Sequence, residues 1–121
     1  MAIMVWVDKA DWNCCGDPFR VGSRVDWELR RDIDARWLGE VLGSGAAVGV
    51  DAYQYHHGGP DAVIEPASAT VTRIQAVHAR PDPRTGTVPG SGVLTELPEV
   101  TRGVPDRGDL TFEGFLVRLE E

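Results

Sequence analysis

Lysine, cysteine and long apolar runs are all scarce in this sequence, and each scarcity excludes something. Of twelve basic side chains only Lys9 is a lysine. The rest are arginines interleaved with carboxylates, as in Arg30-Arg31-Asp32-Ile33-Asp34 and Asp106-Arg107-Gly108-Asp109, so they form no basic stripe. The formal net charge is −7 and the pI is near 4.9. Such a chain repels phosphate backbones, and nucleic acid is not an expected partner. No apolar run approaches the ~20 residues of a membrane helix, so no membrane association is expected. Ile3–Val7 is too short for a signal-peptide core and lacks a basic flank. The two cysteines, Cys14 and Cys15, are neighbours. A disulfide between adjacent residues closes a strained ring, which argues against a secreted, cross-linked scaffold. The expected compartment is the cytoplasm.

What is present fits one domain spanning residues 1–121. A chain of this length buries roughly two-thirds of its unfolded surface, enough for a core without obligatory metals or disulfides. Fourteen glycines and eight prolines favour many turns over long helices. Ile3–Val7 reads as a strand covered on both faces. Arg24–Arg30 alternates strictly: Val25, Trp27 and Leu29 on one side, Arg24, Asp26, Glu28 and Arg30 on the other. Asp32–Leu42 carries a helical stripe of Ile33, Trp37, Leu38, Val41 and Leu42, with Asp32 as a cap and Gly43 as a left-handed stop. Thr70–Ala79 reads as a strand, and the three-residue spacing of Val71, Ile74 and Val77 calls for a bulge. Val93–Leu97 and Phe112–Leu119 complete the strands. Asp8–Pro18, Pro81–Gly86 and Pro98–Asp109 read as loops, with room for a short element near Val48–Tyr55. The expected fold is mainly β (α+β). It would be a small, partly open barrel or curved antiparallel sheet of about five or six strands with one helix, about 32–42, packed on it.

Phe19-Arg20-Val21-Gly22-Ser23-Arg24-Val25-Asp26-Trp27 resembles the approach to the first long strand of SH3-like and OB-like barrels, where Gly22 permits a positive φ. A longer resemblance runs through most of the chain. Its pieces are Val5-Trp6-Val7, Cys14-Cys15-Gly16-Asp17-Pro18-Phe19-Arg20-Val21-Gly22, Val25-Asp26-Trp27, His56-His57-Gly58, Pro89-Gly90-Ser91-Gly92-Val93-Leu94, Pro105-Asp106-Arg107-Gly108-Asp109 and Phe115-Leu116-Val117. In these the chain resembles a family of short, uncharacterised actinobacterial proteins, a domain of unknown function. The resemblance implies no activity, substrate, cofactor or site residue.

No constellation specifies a reaction, and no catalytic residue is assigned. Cys14, Cys15, His56 and His57 together supply the two thiolates and two imidazoles that zinc prefers. Against that stands their spacing, since paired zinc cysteines are usually about two to four residues apart. The alternative reading has one cysteine packed as a small hydrophobe and one histidine bonded to a loop carbonyl. A Cys–His nucleophile is the enzymatic version, Cys15 with His56 or His57 oriented by Asp17 or Asp61. His78 reads as half-buried and hydrogen-bonded. Asp8, Asp11 and Asp17 near Trp12 read as a solvated rim. The glycine-rich stretches lack a phosphate-cradling pattern.

The reading favoured is a non-enzymatic binding module whose partner is a protein or small ligand, with contacts through loops 8–19 and 53–61 and a surface of Trp12, Tyr53, Tyr55, His56 and His57. No cofactor is expected in that reading. Zinc at Cys14, Cys15, His56 and His57 is its alternative.

Overall fold

The alternation in Arg24–Arg30 becomes a strand with those bounds: Leu29 is buried, Val25 and Trp27 are half-buried, and Arg24, Asp26 and Glu28 face solvent. A computed structural model of the chain describes residues 2–31, 36–43, 49–54 and 64–121, leaving out the side chains of Cys14 and Cys15. In chain order the elements are β1 (Ala2–Asp8), α1 (Lys9–Cys15), β2 (Phe19–Arg20), β3 (Arg24–Arg30), α2 (Arg36–Leu42), β4 (Ala52–Gln54), β5 (Ile64–Ala79), β6 (Pro81–Asp82), β7 (Gly86–Thr87), β8 (Val93–Leu97), β9 (Glu99–Val100) and β10 (Thr111–Glu120). Among the described residues the protein is mainly β: one six-stranded mixed sheet, two short ribbons and two small helices. Neither helix is long and apolar enough to cross a membrane among the described residues.

The sheet order is β10-β1-β4-β3-β5-β8, and β5 also pairs with β10. The pairings therefore run in a closed circuit through β5, β10, β1, β4 and β3, with β8 added alongside β5. Most ladders are antiparallel, but β1 and β4 run parallel, with Val5 opposite Ala52 and Trp6 opposite Tyr53. An all-antiparallel sheet is thus corrected to a mixed one. β3 intervenes in sequence between β1 and β4, and that long excursion is the crossover a parallel pair requires.

Two register shifts put the apolar residues where they are needed. Arg118 pairs with Arg73 but Leu119 with Val71, so Thr72 is the extra residue on β5. That bulge lets Val71 and Ile74, an odd number of positions apart, share one face. On β10 the pairing steps from Phe112↔His78 to Gly114↔Val77, leaving Glu113 extra, and Phe112 joins Phe115, Val117 and Leu119.

The apolar residues fall into two clusters rather than one interior. Ile3, Val5, Val7, Leu29, Val71, Ile74, Phe112, Phe115, Val117 and Leu119 make the larger cluster, with Trp27 packed against it. Trp6, Leu38, Leu42, Val77 and Leu116 make the second, with Met4, Trp37, Tyr53 and Leu94 at its margin. Along β1 the two sets alternate, as a strand covered on both faces demands. The helix α2 covers the second cluster. The element that packs on the larger one is α1, whose Trp12 lies edge-on to Phe115 with ring centroids 5.9 Å apart.

That helix corrects the loop expected over Asp8–Pro18. Asp8 caps it, its side chain accepting the Ala10 N–H at 3.1 Å, and the Gly16 N–H closes it on the Trp12 carbonyl at 2.8 Å. Seven residues are too few to show a helical period or to hold alone, so tertiary packing supplies the stability. Helix α2 ends as expected at Gly43, whose φ is +85°. Its last carbonyls are not left bare: Gly90 N–H donates to Glu40 and Gly92 N–H to Val41, each at 2.8 Å. The start of the expected helix, Asp32 to Ala35, lies outside the described residues.

Gly114 carries a prediction. A Cβ there would collide with the Val7 carbonyl oxygen and the Trp6 ring. Gly114→Ala should lower unfolding stability by about 1–3 kcal/mol or more, read as a fall in the urea midpoint at unchanged m-value.

Candidate functional site

In the β1–β4 parallel pair, Trp6 and Tyr53 stand beside each other in register. Helix α2 brings Trp37 over them. Its ring meets Trp6 edge-on at 5.2 Å and 78°, and its indole N–H donates to the Tyr53 hydroxyl at 2.8 Å. Trp6 is buried, whereas Trp37 and Tyr53 are half-exposed. Beside these rings β1 ends in Asp8 and gives way to α1, which contributes Ala10 and Asp11. Together with Gln54 they enclose an open cleft of about 470 Å³, within the size range of small-molecule sites.

The polar lining includes both acceptors and donors. Asp8 and Asp11 contribute carboxylates, and none of the described lining residues is basic. The indole N–H of Trp37 is already committed to Tyr53. Gln54 is buried, and its Oε1 has no hydrogen-bond donor. Such an orphan is uncommon, because leaving a buried acceptor unmade costs about 1–3 kcal/mol.

The sequence-predicted surface is only partly assembled here. Tyr53 lines the cleft as expected. Trp12, expected as an exposed loop contact, is instead a helical residue 7% exposed, with its indole N–H 3.4 Å from the Asp17 carbonyl oxygen. A large aromatic on a short helix beside an apolar face gains more from burial than from solvent. Tyr55, His56 and His57 lie outside the described residues, as do the side chains of Cys14 and Cys15. Among the described residues no group of His, Cys, Asp and Glu is arranged to hold a metal. Asp8, which is exposed, and Asp11, which is half-buried, border the cleft. Trp6, Trp37 and Gln54 were not anticipated at a site, although the alternation of Ile3–Val7 already sets Trp6 on the face opposite Val5 and Val7.

Near the end of β1 lies a second group of ionisable residues. His78 is buried more deeply than expected, with Nε2 3.0 Å from the Pro105 carbonyl and its ring tilted against Phe112. With Nε2–H donating, Nδ1 is left without a partner. Asp106 accepts the Phe112 N–H at 2.9 Å. The bulge residue Glu113 has its carboxyl raised above the usual 4.5, first by burial and then by Asp8 and Asp106, with Lys9 and His78 opposing.

Elsewhere some arginines are matched locally by carboxylates: Arg31 with Glu65 at 2.7 Å, Arg73 with Glu96 at 2.8 Å, Arg80 with Asp109 at 3.1 Å and Arg118 with Glu120 at 3.3 Å. These pairs are exposed and worth about 0–1 kcal/mol each, so they shape the surface potential more than the stability.

With this fold and cleft in view, the comparisons with known proteins place the chain in a class without an assigned activity. The chain belongs to a family of unknown function, DUF6578, whose family model matches residues 1–121. No curated protein and no solved structure matches it.

Glu113 gives a pH prediction. Its carboxyl binds protons more tightly folded than unfolded, so folding is favoured below the ordinary carboxylate value and penalised as pH rises through the raised one. Glu113→Gln removes that penalty. The variant's stability advantage over the parent should grow as pH rises through the carboxylate range and then level off, as measured by urea unfolding at a series of pH values.

Proposed function

We propose that this protein is a small binding module whose ligand sits in the cleft between Trp37, Tyr53, Asp8 and Asp11. The observation that carries this reading is the convergence of four elements, β1, α1, α2 and β4, on one concavity of about 470 Å³. It draws on both segments that the sequence marks as a contact surface, 8–19 through Asp8, Ala10 and Asp11, and 53–61 through Tyr53 and Gln54. The scaffold suits the role. We read the closed circuit of strands as a small, partly open barrel, rigid enough to hold half-exposed aromatic rings at fixed spacing. The cleft lining carries the carboxylates of Asp8 and Asp11 and no described basic residue, and the chain's net charge is −7, which favours partners other than nucleic acid.

Binding should be visible in the tryptophan signals. A small-molecule screen read by the Trp37 indole N–H resonance should yield ligands that shift it, and Tyr53→Ala should weaken them by about tenfold or more. If shifts appear only at Trp27, in the other apolar cluster, the cleft is not the site.

A second reading has its own support. The two cysteines end α1, and His56 follows two residues after Gln54. The helix carrying one pair and the strand leading to the other therefore border the same cleft. A zinc site at Cys14, Cys15, His56 and His57 predicts about one zinc per chain in protein purified without added metal, lost in Cys15→Ser. Zinc at background levels in the parent protein would rule it out.

A further inference from the structure

We propose that the Gly90-Ser91-Gly92 loop sets the position of α2, and that Ser91 is a positioning residue for the cleft, acting through Trp37. What this means for ligand entry rests on the cleft being the binding site, whereas the coupling itself does not. Helix α1 packs closely on β1 and β10, but α2 stands off the strands and reaches the second cluster through the side chains of Leu38 and Leu42. Apolar burial is non-directional, so these contacts hold α2 down without fixing where on the face it lies. Directional bonds supply that. Towards its start the Trp37 indole N–H donates to the Tyr53 hydroxyl, and towards its end the carbonyls of Glu40 and Val41 accept from Gly90 and Gly92.

The loop is shaped for this contact. It runs so near the helix end that a Cβ at residue 92 would stand 2.8 Å from Leu42 Cδ2 and 2.9 Å from the Val41 carbonyl oxygen. Between the two glycines, the Ser91 hydroxyl ties the loop to the sheet. It accepts the N–H of Arg80, the residue after β5, at 3.0 Å and donates to the Val88 carbonyl at 2.6 Å. The Val88 N–H returns to the Arg80 carbonyl at 2.8 Å. Sheet, loop and helix end are therefore joined in series, with Trp37 at the far end. On its other side α2 is bare: apart from the helix itself, a Cβ at Gly39 would meet no described atom within 4 Å. The glycine-rich run Pro89-Gly90-Ser91-Gly92, which matches no phosphate cradle, thus has a mechanical role.

The test is native-state hydrogen exchange on the full chain without ligand. In the parent protein the Gly90 and Gly92 amides and the Trp37 indole N–H should open with one common equilibrium constant. If Trp37 opens with a constant of its own, the coupling is overturned, and that comparison needs no variant. Ser91→Ala should raise the opening constant at all three sites together by about fivefold, the worth of one ordinary hydrogen bond. Ser91→Thr keeps the hydroxyl and should restore the parent values. The amides of the β2–β9 ribbon, which shares no bond with the loop, should be unchanged in both variants. A rise at Gly90 and Gly92 with Trp37 unmoved would overturn the proposal. So would an equal rise at the ribbon, which marks a general loss of stability. A ligand screen that leaves Trp37 unmoved removes the cleft reading and not the coupling, while uncoupled exchange removes the coupling and not the cleft.

Discussion

Sixteen consecutive residues, Ile64 to Ala79, must serve three neighbouring strands with one backbone, and the rest of the fold follows from how β5 does it. Its first half pairs with β3, from Ile64↔Arg30 to Thr70↔Arg24. Its second half pairs with β10 and, over Ile74–His78, with β8 as well. Burial tracks this change. Of Ile64–Thr70 only Ala69 is buried, whereas Ile74–Ala79 is buried throughout. Pro66, which has no N–H to give, falls in the half paired only with β3, where a missing donor is tolerated. The extra residue at Thr72 is the joint between the halves, and without it the apolar residues on either side would fall on opposite faces.

This arrangement explains why the sequence is readable in some places and opaque in others. Arg24–Arg30 announces itself by its regular alternation, and Val93–Leu97 and the long closing strand by their β-rich composition, even though Val93–Leu97 has no buried residue and the closing strand is interrupted at Glu113. The spacing of Val71, Ile74 and Val77 also betrays the irregularity in β5. The two-cluster core is harder to read. A strand such as β1, apolar on both faces, looks the same whether its second face meets a helix or a second sheet, so Trp27 and Trp37 read as members of one interior. Helix α1 escapes because it is held by a cap at Asp8 and by packing of Trp12, and neither makes a period. A parallel pairing of two residues, as in β1–β4, has no signature in the chain at all. Yet that short pairing is what sets Trp6 beside Tyr53.

The cleft lies at the edge of the apolar face that α2 covers. Over its described residues α2 buries Leu38, Val41 and Leu42. Trp37 and Tyr53 are left at the margin, half in water, and their mutual hydrogen bond fixes them there. Beneath them the Trp6 ring packs against β10 at residue 114, which is possible because that residue has no side chain. The bulge at Glu113 directly precedes that glycine. One local irregularity in β10 therefore returns Phe112 to the larger cluster and sits beside the glycine that seats the Trp6 ring.

The two readings of function occupy adjacent rather than competing positions. The cleft is walled by side chains that precede the cysteines on α1 and the histidines after β4, so a metal held by those four residues would tie the ends of two walls together. It would act on the cleft by fixing its rim, in the way that outer ligands pre-organise a binding site. Zinc at those four residues and a ligand in the cleft would draw on different groups, thiolate and imidazole donors for one and half-exposed aromatic rings for the other. No residue is asked to do both. If both held, stripping the metal would weaken ligand binding by loosening the walls.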